Sequence, residues 1–95
     1  MNVIWLRKAA VNLEHEYQWL YEKNPTAAQI FANEVYELTS FLATQPSMGR
    51  AGRVMGTREL VLYNFPYLLP YRVKNAEIQM LRVFHTYREP PKVRW

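Results

Sequence analysis

The hydrophobic pattern of this chain changes period between Leu42 and Arg58, and that change limits the fold more than any single motif. Up to Leu42, apolar residues recur every three or four positions. Ala9, Leu13, Tyr17 and Leu20 make one helical stripe; Phe31, Val35, Leu38 and Leu42 make a second. Asn24-Pro25 lies between them, and proline suits a first helical turn, so this pair ends one helix and starts the next. A link that short predicts an antiparallel helical hairpin. From Arg58 onward the period is two. Arg58–Tyr63, Tyr67–Val73 and Glu77–His85 are predicted strands, separated by turns at Asn64-Phe65-Pro66 and Lys74-Asn75-Ala76. Val3–Leu6, β-branched and aromatic, is a further strand at the start. The order is β-α-α-β-β-β. That is an α+β architecture, with the helical hairpin packed on a small, mostly antiparallel sheet. At 95 residues, a single domain spanning 1–95 is expected.

Composition removes several classes of function. The chain has no cysteine, which excludes disulfide staples, a thiolate metal site and a cysteine nucleophile. Its two histidines, His15 and His85, make a poor metal site, and no phosphate-cradling nucleotide loop is present. No cofactor and no metal are expected. No apolar run approaches the roughly 20 residues that span a bilayer, and residues 1–10 do not read as a signal peptide. The expectation is a cytoplasmic protein with no membrane partner.

Charge is unevenly spread. Residues 1–45 carry three basic and five acidic side chains; residues 46–95 carry nine basic and three acidic ones. All three glycines fall in the stretch PSMGRAGRVMGTREL, residues 46–60, together with Arg50, Arg53 and Arg58. Gly52, Gly56 and Thr57 read as turn chemistry between the second helix and the sheet. Arginine suits phosphates and carboxylates, so the basic half implies either a solvated surface or a face that meets something acidic. Strand alternation suggests that Arg58, Arg72 and Arg82 emerge together on the sheet face away from the helices. The opposing reading has each arginine reaching water at a strand end. Pro70 is anomalous in a central strand, because it has no amide to donate to the ladder.

The segments GRVMGTREL, PYLLPYRV and IQMLRVFHTYREPP occur in this order within residues 52–91. Together they resemble the toxins of the RelE/ParE superfamily of bacterial type II toxin–antitoxin systems. The resemblance implies a compact toxin that arrests growth and is neutralised by a cognate antitoxin. It also implies one of two targets. RelE-like members cut messenger RNA on the ribosome; ParE-like members poison DNA gyrase.

Ribonuclease chemistry needs a base for the ribose 2′-hydroxyl, cations for the phosphorane-like charge and an acid for the leaving oxygen. By resemblance, Arg58 and Arg82 stand where catalytic members carry phosphate-stabilising arginines, and His85 and Tyr87 lie near a His or Tyr position. Residues 46–57, however, contain no Lys, Asp or Glu. Glu59 should face away from Arg58, and His85 away from Arg82 on an uninterrupted strand. The ParE-like reading is therefore favoured, with mRNA cleavage as the alternative. Arg50, Arg53, Arg58, Arg72, Arg82 and Arg88 are the candidate target- or antitoxin-binding residues.

Overall fold

A computed structural model describes residues 1–87; Arg88 lies outside the described residues. The elements are β1 (Asn2–Trp5), α1 (Arg7–Lys23), α2 (Pro25–Leu42), β2 (Arg50–Ala51), β3 (Arg58–Val61), β4 (Tyr67–Lys74), β5 (Glu77–Met80) and β6 (Phe84–His85). The single residue Asn24 joins the helices. Its N–H closes α1 on the Leu20 carbonyl, while its Oδ1 accepts from the Thr26 and Ala27 amides at 3.0 and 3.2 Å. Pro25 then takes the first helical position, where a missing N–H costs nothing.

The sheet order is β1-β5-β4-β3-β2, with β6 also paired to β4. β1 runs parallel to β5; the other pairs are antiparallel. This is the expected α+β arrangement of two helices on a mostly antiparallel sheet. The core forms where Ala28, Phe31, Val35 and Leu42 of α2 meet Leu60, Leu69, Tyr71 and Met80 of the sheet. The predicted stripes are those that pack, with Leu13, Tyr17 and Leu38 half-buried at the margin.

Two features differ from the sequence reading. The two-residue strand β2 was not expected; it is too short to show a period. The last predicted strand, Glu77–His85, is broken after Met80. Met80 lies across from Tyr71, and Phe84 across from Leu68. Three residues, Leu81 to Val83, therefore face only two on β4, so the chain carries one extra residue here. Pro70 explains the location. The Leu81 amide donates to its carbonyl at 2.9 Å, so the side of Pro70 that lacks an N–H faces this bulge rather than a regular ladder.

The β4–β5 turn carries local strain. Lys74 pairs with Glu77, and the two residues between them, Asn75 and Ala76, have φ of 56° and 58°. A two-residue hairpin needs this left-handed backbone, which asparagine tolerates and alanine adopts only at a cost. Ala76→Gly should stabilise the domain by about 0.5–1 kcal/mol, after allowing for the extra unfolded-state entropy of glycine. Thermal melts should show a midpoint raised by roughly 2–8 °C. An unchanged midpoint would mean that the turn holds no strain.

Candidate functional site

The arginine- and glycine-rich segment lies against one end of the sheet, anchored from both faces. On the helix side, the Tyr71 side chain is fully buried. Its hydroxyl accepts from the Gly49 amide at 2.9 Å and donates to the Pro46 carbonyl at 2.7 Å. Burial pushes the Tyr71 phenol above its usual pKa range, with the Gly49 amide and the Arg58 guanidinium pulling it partly back. It therefore remains a proton donor, as the bond to Pro46 requires. Arg58 lies across from Tyr71, and its Nη1 donates to the carbonyls of Gly49 at 2.8 Å and Ser47 at 3.2 Å. One phenol and one guanidinium thus clamp the chain leaving α2. Gly49 allows the approach: a Cβ there would sit 2.6 Å from the Tyr71 ring and 2.9 Å from the Glu59 carbonyl oxygen.

On the other face, Glu59 is buried at 2% exposure. Its carboxylate takes Nε and Nη2 of Arg50, both at 3.1 Å, and the Arg53 amide at 3.0 Å. A buried charge needs such partners to persist. Beyond Glu59 the β2–β3 hairpin closes through Gly52 N–H to Thr57 O at 2.9 Å and Thr57 Oγ1 to Val54 O at 2.6 Å. Gly56 has φ of +81°, the backbone that a non-glycine residue resists at such a corner. At the tip, Arg53 is exposed and Met55 is 97% exposed.

The structure does not bring the three sheet arginines onto one face. Arg58 pairs with Tyr71, so it shares the helix-facing side with Leu60 and Leu69. Arg72 follows Tyr71 and so faces the opposite way, with its Nε on Gln79 Oε1 at 2.8 Å. Arg82 lies in the bulge, outside any alternation. Its Nε donates to Asn12 Oδ1 of α1 at 2.9 Å, and its guanidinium lies 4.8 Å from the Phe84 ring centre. The expectation of a common outer face for Arg58, Arg72 and Arg82 is therefore corrected by register and bulge. Asn12, which also accepts from the Val83 amide, was not singled out in the sequence.

The parity assigned to His85 on an uninterrupted strand is also replaced. The extra residue places His85 across from Tyr67, on the helix side, with ring centres 5.1 Å apart. Its Nδ1 accepts from the Tyr87 amide at 3.3 Å, and the Tyr87 ring is 5.9 Å away. Tyr67 lies four residues along β4 from Tyr71, the partner of Arg58. That separates the His85 and Arg58 backbones by about 13 Å along the sheet.

A second feature lies between the helices. Trp5, Leu13, Tyr17, Phe31, Val35 and Tyr36 line an apolar groove of about 250 Å³, well away from the hairpin. Among the described residues, no group of three or more His, Cys, Asp or Glu side chains is placed to hold a metal ion. No described helix is long and apolar enough to cross a membrane.

Comparison with known proteins gives consistent matches. The family model described as ParE toxin of type II toxin-antitoxin system, parDE, matches residues 3–90. The putative toxin Y4kP of Sinorhizobium fredii (strain NBRC 101917 / NGR234) is 33% identical over 89 residues, covering 94% of this chain and 92% of the relative. The solved structure described as the chromosomal ParDE TA system from P. aeruginosa superposes with a TM-score of 0.78 at 33% identity. That match covers 90% of this chain and 95% of the other.

Proposed function

The chain belongs to the ParE toxin family of type II toxin–antitoxin systems, and from that premise we propose that it arrests growth in the cytoplasm by poisoning DNA gyrase. A cognate antitoxin neutralises it. The observation that carries this reading over mRNA cleavage is the separation of Arg58 from His85, which a nuclease would need together. Arg58 is spent on the Gly49 and Ser47 carbonyls, Arg82 reaches Asn12, and the His85 and Tyr87 rings meet edge-on where β6 pairs with the start of β4. Glu59, the acidic neighbour of Arg58, faces the other way and is saturated by Arg50 and the Arg53 amide. General base catalysis needs a base within hydrogen-bond reach of the proton it removes, and the carboxylate next to Arg58 in the chain points to the opposite face.

The antitoxin arm fits the apolar groove between α1 and α2, with carboxylates reaching Arg82 and its basic neighbours Arg7 and Lys8 at the start of α1. Arg53, Arg72 and Arg88 are assigned to target or antitoxin contact, whereas Arg50 and Arg58 are taken up by Glu59 and by the Gly49 and Ser47 carbonyls. Purified toxin should block supercoiling by gyrase and accumulate cleaved DNA, and the product of the neighbouring open reading frame should reverse both. Normal supercoiling at a large excess of toxin would overturn the reading. Cuts within codons of messages from induced cells, abolished by Arg82→Ala, would replace it with ribosome-dependent endoribonuclease activity.

A further inference from the structure

The β2–β3 hairpin tip combines three properties that its structural role does not require. First, it exposes a large apolar side chain almost completely: Met55, at 97%. Second, it is rigid by construction. The Gly52–Thr57 backbone bond, the Thr57–Val54 bonds and the Glu59 carboxylate on the Arg53 amide hold the turn from several sides. A display element fixed in this way loses little entropy on contact. Third, its surroundings are cationic. The Arg53 side chain is exposed at the tip, and Arg72 leaves the sheet on the same face as Glu59. Glu59 offsets Arg50, and Glu77 lies across from Lys74, which leaves Arg53 and Arg72 in excess at this end.

We propose that the hairpin tip is a contact element for duplex DNA, with Arg53 on the phosphate backbone and Met55 lodged against the bases. The chemistry favours a nucleic acid over an apolar pocket on a protein. A methionine bound for such a pocket needs exposed apolar neighbours to complete the contact, whereas beside Met55 stand a half-buried Val54 and Gly56, and the nearest charged residues in the chain, Arg53 and Arg58, are both basic. Cationic side chains around one apolar wedge are a recurring way to grip phosphates while touching base edges or an unstacked step. The inference rests on the gyrase reading and deepens it: the toxin itself touches the DNA on which gyrase works.

The test is fluorescence anisotropy of a labelled duplex of about 20 base pairs with the purified full chain, across a range of salt. Wild-type toxin should bind. Arg53→Ala should reduce the magnitude of the slope of log K against log salt by about 0.9, one phosphate contact. Met55→Ser should lose about tenfold in affinity with the slope unchanged, because the side chain buries apolar surface and meets no phosphate. Both side chains are exposed, so neither variant should disturb folding. Lys23→Ala, at the far end of α1, should leave affinity and slope as in wild type. Absent binding at low salt overturns the proposal, as do wild-type affinities for both tip variants. The outcomes separate from those of the gyrase assay. Inhibited supercoiling without duplex binding sinks the hairpin and spares the gyrase reading; duplex binding without inhibition does the reverse.

Discussion

Glu34→Ala is expected to destabilise the domain by about 2–4 kcal/mol, although the residue sits on a surface helix and carries a charge. Glu34 is only 3% exposed and lies on the same α2 stripe as the buried Phe31 and Val35. Its carboxylate accepts from the backbone amides of Tyr63 and Asn64, where the chain leaves β3 to turn into β4. It thereby ties helix to turn. Alanine would leave two part-buried N–H groups without their acceptor, and each charge-assisted bond of this kind contributes about 1.5–3 kcal/mol. For a domain of this size the melting midpoint should fall by more than about 10 °C. Glu34→Gln, which keeps one acceptor oxygen, should lose roughly half as much. Glu37 provides the control. It accepts from the Tyr63 hydroxyl at 2.9 Å, a bond that raises the Tyr63 pKa, but the contact is exposed. Glu37→Ala should therefore cost far less than Glu34→Ala. Urea melts with an unchanged m-value would measure all three. Equal losses at positions 34 and 37 would mean that the turn is held by its own backbone bonds, Leu62 to Tyr67 and Tyr67 to Phe65.

The same residue marks the limit of what the sequence discloses. The helical hairpin was legible because its signals are local: two apolar stripes, and an asparagine and a proline whose chemistry fixes a helix end. Glu34 was not, because a carboxylate inside an apolar stripe reads as surface until its distant amide partners are seen. β1, β3 and β4 were legible to within a residue or two, but β2, the break after Met80 and the register were not. Pairing Arg58 with Tyr71 instead of Arg72 is a shift of one residue, and one residue exchanges the two faces of a strand. That is why a shared outer face for Arg58, Arg72 and Arg82 was a reasonable expectation and failed. Pro70 did announce an irregularity. It could not say on which side of β4 the extra residue would fall, and that side decided where Arg82 and His85 point. The concentration of arginine and glycine between residues 46 and 60 was visible as composition. What each does was not: Arg58 and Gly49 serve Tyr71, Arg50 serves Glu59, and Arg53 is left at the tip beside Met55.

Phe31→Ala should produce the other large effect, about 3–5 kcal/mol. The ring is fully buried, with its centre 4.9 Å from that of Tyr67 and 5.7 Å from that of Phe65, the latter edge-on. It joins α2 to the β3–β4 turn and to the middle of the sheet, so truncation removes packing from three elements at once. Phe31 also lines the groove between the helices. A fully enclosed site would keep an empty cavity and lose the most; here the space opens onto a groove that water can enter, which places the expected cost nearer 3 kcal/mol. Phe31→Leu should lose less, since most of the volume remains. The groove also gives the variant a way to report on the antitoxin. A partner that binds only the folded toxin stabilises it by mass action, more strongly the further its concentration exceeds Kd. If the antitoxin arm fills the groove beside residue 31, it loses its contact with the missing ring and stabilises Phe31→Ala toxin less than wild type, so the gap between the two melting midpoints should widen in complex. An unchanged gap, with both toxins stabilised equally, would place the arm elsewhere, with the ring serving the core alone.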